Sequence, residues 1–93
     1  MTTLNYHHLL YFWTVVREGR ISRAAEKRRV SQPTISCQVK ELERLFGKRL
    51  FERSGKGLVL TDAGRIVYRY AREIFTLGQE MMNTMEHVFL ERW

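Results

Sequence analysis

"VSQPTISCQVKELE", residues Val30 to Glu43, brings a serine, a glutamine and the single proline of the chain into three successive positions. Ile35, Val39, Leu42 and Phe46 follow at steps of four, three and four, the spacing of one helical face. Ser31 is an N-cap candidate, and Pro33 falls in the first turn, where a missing N–H leaves no bond unmade. The spacing predicts a helix over 32–46 with one narrow buried stripe. Its other side carries Pro33, Ser36, Cys37, Lys40 and Arg44. That mix is small, polar and basic, whereas a merely solvated face usually holds more acid. The question is what this second face touches.

Upstream, "RAAEKRR" reads as a short helix with Ser22 as its N-cap, and the pair Ala24-Ala25 permits close backbone approach. Only Val30 and a neighbour or two separate it from the next helix, which makes a helix-turn-helix over about 21–40. Before it, Leu9, Phe12, Trp13 and Val16 recur at helical spacing and stop at Glu18-Gly19, giving a first helix of about three turns. Downstream of Phe46-Gly47 the period changes. Leu50-Phe51 and Leu58 to Leu60 flank the turn-rich Ser54-Gly55-Lys56-Gly57, which predicts a β-hairpin over 50–60. A dinucleotide loop is disfavoured there, because no long strand precedes the lone Gly-x-Gly and the third glycine is missing.

Thr61 caps the last element, with Asp62 in its first turn. The helical pattern then runs to the end, about thirty residues or roughly 45 Å. Ala63, Val67, Tyr70, Ile74, Leu77 and Met81 form one apolar track. Tyr68, Ala71, Phe75, Gly78, Met82, Met85 and Phe89 form another, one residue over. A small domain cannot cover so wide a face on so long a helix, so its far half needs a partner, most simply a second copy. The dimer candidates are Tyr70, Ile74, Leu77, Met81, Met85 and Phe89.

Charge narrows the function. The net charge is +6. Residues 1–72 hold fifteen Lys/Arg against six Asp/Glu, and residues 73–93 one Arg against four Glu. A basic front with a mildly acidic tail suits a polyanion. The chain is 44% hydrophobic, enough for a modest core. Its longest apolar stretch, Leu9 to Val16, is too short to span a bilayer and lacks the flanks of a signal peptide. The single cysteine allows no internal disulfide and fits a reducing cytoplasm. His7, His8, His87 and Cys37 show no metal-ligand spacing. Glu41 and Glu43 point about 200° apart on a helix, so they are no carboxylate pair. No enzyme, metal or cofactor is expected. RNA is disfavoured, because the aromatics fall on apolar stripes and not on an open sheet. A pure coiled-coil interaction module stays open.

The residues "AAEKRRVSQPTISCQVKELERLFGKRLFERSGKGLVLTDAG", 24–64, resemble the N-terminal domain of LysR-type transcriptional regulators. "NYHHLLYFW" and "VYRYAREIFTLGQEM" further resemble the branch that activates sodium/proton antiporter genes. The resemblance implies a mainly α fold: a winged helix-turn-helix of three helices plus a hairpin wing over 4–61, then a linker and dimerisation helix over 62–93. It implies a cytoplasmic, nucleoid-associated DNA-binding homodimer on a pseudo-palindromic T-N11-A site, with tetramers possible in the full-length protein. It also implies a small-molecule effector, but only in a C-terminal domain beyond this chain. The helix over 32–46 would lie in the major groove. Gln32 would pair with adenine, Pro33 and Thr34 would touch a thymine methyl, Ser36 would serve bases or phosphate, and Ser31 would belong to the same DNA-binding set. Lys40 and Arg44 suit phosphates. Arg53 and Lys56 would carry the wing to the backbone or the adjacent minor groove; the alternative for Arg53 is a salt bridge to Glu52 or Asp62. The sequence departs from the family pattern twice. Cys37 stands where arginine is common, which removes a bidentate guanine contact and leaves a small passive contact or a redox role. Arg28 stands where leucine is usual, with its aliphatic stem expected to cover the core while its guanidinium reaches solvent or DNA.

Overall fold

A computed structural model describes residues 3–55 and 57–92, with side chains through Val88. Lys56 and the Phe89 side chain lie outside the described residues. The order is α1 (Tyr6–Glu18), α2 (Ile21–Arg28), α3 (Gln32–Phe46), β1 (Phe51–Ser54), β2 (Gly57–Leu60) and α4 (Asp62–Arg92). α1 is the hub, packed against α2, α3 and α4.

Local signals explain most boundaries. Asn5 caps α1 by accepting from the His7 and His8 N–H groups, and Gly19 ends it at φ 86°. Ser31 caps α3 through the Thr34 N–H, and Gly47 ends it at φ 64°. The start of α2 departs from expectation. Its N-cap is Arg20, without a side-chain cap, and Ser22 lies inside the helix. The Ala24 N–H already reaches the Arg20 carbonyl at 3.1 Å, and Ile21 packs on the core, so packing starts the ladder two residues early. Arg29 ends α2 in the left-handed region, φ 58°.

Phe12, Val15, Ile35, Leu42 and Leu50 are the largest fully buried side chains, and the Phe12 and Phe51 rings lie 5.2 Å apart. Phe46 breaks the expected stripe: it is 41% exposed. In the last turn of α3 it clears the core edge and lines an apolar hollow beside Ile66 and Tyr70. Arg28 follows expectation in part. It is half-buried, but its Nε donates to the buried Thr14 hydroxyl at 3.0 Å and so ties α2 to α1.

The hairpin is antiparallel, with Phe51 opposite Leu60 and Arg53 opposite Leu58. Its base is a junction. The Leu50 N–H donates to the Glu43 carboxylate of α3 at 2.8 Å, and the Leu50 carbonyl accepts from the Thr61 N–H at 3.0 Å. The Thr61 hydroxyl donates to the Arg49 carbonyl at 2.6 Å and caps α4 by accepting the Gly64 N–H at 3.0 Å. A Cβ at Gly64 would overlap the Leu50 carbonyl oxygen. Glycine is therefore required where α4 crosses the hairpin base.

α4 divides in two. Ala71 is buried, and Ala63, Val67, Tyr68, Ile74 and Phe75 pack against the core. The Trp13 and Phe75 rings, 5.1 Å apart, mark where α1 and α4 meet. Beyond them the helix leaves its own domain, with Leu77 64% and Met81 61% exposed.

Candidate nucleic-acid interface

Helix geometry sets the candidate surface. Ile35, Val39 and Leu42 are buried. At 100° per residue the opposite crest is Pro33, Cys37, Lys40 and Arg44, spaced four, three and four. All four are exposed. The crest is thus free of the core, as the composition of the second face requires. Cys37 sits at its centre, as a free, exposed thiol. Arg44 is held in the free chain by Glu41, 2.8 Å away, an exposed pair one turn back on the same helix. Such a pair contributes little and yields readily to a phosphate.

The start of α3 is held by its cap. The Ser31 and Thr34 hydroxyls share a hydrogen bond of 2.8 Å, so the Thr34 hydroxyl already has one partner within the turn, and its methyl adds an apolar surface. Gln32 is exposed on the flank toward the hairpin, and Ser36 lies half-buried on that flank. Gln32 and Arg53 line the same cleft of about 380 Å³. The helix start and the wing therefore face one side of the molecule. Arg53 is exposed on β1. Among the described residues it pairs with neither Glu52 nor Asp62; Asp62 instead pairs with Arg65 at 2.8 Å.

No group of three or more His, Cys, Asp or Glu that could hold a metal occurs among the described residues. No helix among them is long and apolar enough to cross a membrane. The dimer candidates fall on α4. Tyr70, Leu77, Met81 and Met85 are exposed, while Ile74 is half-buried against its own core. Ile66 and Val88 are exposed apolar side chains that the sequence reading left out, and Met82, placed there on the second apolar track but not among the dimer candidates, is exposed as well. Arg20 was missed as well, although it lines the cleft with Gln32 and Arg53; nothing in its local sequence marks it.

Residues 6–65 match the family model for bacterial regulatory helix-turn-helix proteins, lysR family. The chain belongs to the lysR family. The lysR match covers the whole helix-turn-helix and hairpin. Among relatives, the transcriptional activator protein NhaR of Escherichia coli (strain K12) is 42% identical over 87 residues, 94% of this chain and 29% of its own length. The RuBisCO operon transcriptional regulator of Allochromatium vinosum is 43% identical, over 89% of this chain and 28% of its own. The chain thus spans under a third of the length of these lysR-type relatives. Among solved structures, the BenM DNA-binding domain in a complex with catB site 1 DNA superposes with a TM-score of 0.84 at 30% identity, covering 91% of this chain and 96% of that one. The CbnR DNA-binding domain in a DNA complex gives 0.78 at 34% identity, covering 91% and 98%. The fold is the winged helix-turn-helix of lysR-type DNA-binding domains.

Proposed function

We propose that this domain binds duplex DNA as a homodimer, with α3 in a major groove and the hairpin at the adjacent backbone or minor groove. One observation carries the reading: Gln32 and Arg53 line a single cleft, so helix start and wing face the same partner. Gln32, Pro33 and Thr34 meet base edges, with Ser31 and Ser36 beside them. Cys37 is a small passive contact at the crest centre. Lys40 and Arg44 grip phosphates. Arg53 reaches the flanking groove, supported by its freedom from carboxylate partners among the described residues.

The dimer rests on the exposed apolar side chains of α4, including Ile66, Tyr70, Leu77 and Met81. Ile66 and Tyr70 line a hollow of about 540 Å³ together with Leu4, Phe46 and Ile74 among others, almost wholly apolar. In the cell the protein works in the cytoplasm as a transcriptional regulator, the role that the 42% match to the transcriptional activator protein NhaR supports, and the stretch "NYHHLLYFW" places it near the sodium/proton antiporter activators. The test is selection of duplexes from a random library, followed by binding to a selected duplex and a scrambled one across several salt concentrations. A selected sequence preferred by a hundredfold or more is the expected result. Equal affinity for both duplexes would leave only an unspecific polyanion binder.

A further inference from the structure

The cleft shared by Gln32 and Arg53 has a floor from elsewhere in the chain: Gly19, Arg20, Ile21 and Ser22, the turn into α2. Gly19 adopts φ 86°, and Arg20 follows in an extended conformation, φ −160°, ψ 155°, immediately before the first turn of α2. That bend sets Arg20 between the start of α3 and the hairpin. Arg20 is exposed. Among the described residues no carboxylate pairs with it, and none lines the cleft.

In a duplex, a major groove and the next minor groove are separated by a single sugar-phosphate strand. If α3 enters one groove and Arg53 the other, that strand must pass between Gln32 and Arg53. It then runs over this cleft. Its phosphates carry full negative charge, and the cleft meets them with arginine on both the floor and the wall.

We infer that Arg20 is a DNA-positioning residue, binding the backbone phosphate that lies between the groove read by α3 and the groove met by the hairpin. This rests on the DNA reading proposed above. The contact carries no base information, but it sets the depth and register of α3. It comes from a segment outside both the recognition helix and the wing.

The experiment compares wild type, Arg20→Ala and Arg20→Lys on the selected and scrambled duplexes over a salt series, after checking by circular dichroism that both variants melt like wild type. Arg20→Ala should weaken both duplexes by the same factor, about tenfold, and reduce the salt slope by about one per subunit. Arg20→Lys should recover most of the loss. A neutral methylphosphonate at the intervening phosphate of the selected duplex should weaken wild type by about the same factor and Arg20→Ala hardly at all. Wild-type affinity and slope in Arg20→Ala, with Gln32→Ala impaired on the selected duplex, would overturn this contact alone. Equal sensitivity of wild type and Arg20→Ala to the neutral phosphate would also overturn it. Wild-type binding in Gln32→Ala, Arg53→Ala and Arg20→Ala together would overturn the underlying reading, and the contact with it.

Discussion

Gln32 and Lys40 lie about two turns apart on α3, and the proposed DNA reading gives them different work. Gln32 opens the helix beside a cleft shared with the wing, where a planar amide can pair with a base edge. Lys40 stands on the exposed crest, where a mobile ammonium suits a phosphate. Gln32→Ala should therefore lose about 1–3 kcal/mol on a selected site and little on scrambled DNA. Lys40→Ala should weaken both by similar factors and lower the salt slope by about one for each phosphate no longer neutralised. Fluorescence anisotropy at several salt concentrations separates the two patterns, and equal losses on both duplexes for Gln32→Ala would mean that the helix start reads no bases. Ser31 is a different case, because its side chain faces its own helix. With its hydroxyl bonded to the Thr34 N–H and hydroxyl, Ser31→Ala should cost about 1 kcal/mol of stability in denaturant unfolding. An unchanged midpoint would mean that the cap adds nothing.

At the level of elements, the junction at Leu50 joins α3, the hairpin and α4 through Glu43, Thr61 and Gly64. Gly64→Ala would press a methyl into the Leu50 carbonyl, and we expect about 3 kcal/mol of destabilisation, near the upper end for overpacking, measurable as a large fall in melting temperature. A melting point within a degree of wild type would show that α4 shifts freely on the hairpin base. The elements around this junction were legible in the sequence because their signals are local. Ser31 and Pro33 announce α3, Gly47 ends it, and the glycines flanking Lys56 mark the hairpin turn. What was not legible is contact between distant segments. The start of α2 was misjudged because Ile21 packing on the core outranks the capping preference of Ser22. Phe46 kept the right period but ran past the edge of what it was meant to cover. The Glu43 to Leu50 bond and the cleft containing Arg20 join stretches that no periodicity relates. The crest of α3 could be read from spacing alone, since a helix wheel needs no tertiary information.

The whole molecule measures 54 × 33 × 19 Å, and its long dimension is consistent with an α4 of about 45 Å that extends past its last core contacts. The near half of α4 is net positive, with Arg65, Arg69 and Arg72 against Asp62 and Glu73, and the far half net negative, with Glu80, Glu86 and Glu91 against Arg92. Antiparallel pairing of two copies would set these opposite charges side by side, while parallel pairing would stack like on like. With Cys37→Ser as background, Tyr70→Cys combined with Met81→Cys should cross-link two copies readily; efficient cross-linking of Tyr70→Cys alone would favour the parallel arrangement. Leu77→Asp or Met81→Asp should put a charge into the seam. Light scattering should then report a monomer whose DNA binding is weakened, and an unchanged dimer would sink the assignment. A two-fold protein should also protect two half-sites in a footprint. One asymmetric patch would count against it.

The crest of α3 has a further consequence, one that concerns evolution. Pro33, Cys37, Lys40 and Arg44 are exposed and stand opposite the buried stripe, so replacing them leaves the interior intact. Around Leu50, by contrast, changing one partner strands another. Variation is thus cheap on the crest and penalised at the junction. A lineage of such domains can change what the exposed side of this helix presents a few codons at a time, without ever passing through an unfolded intermediate sequence.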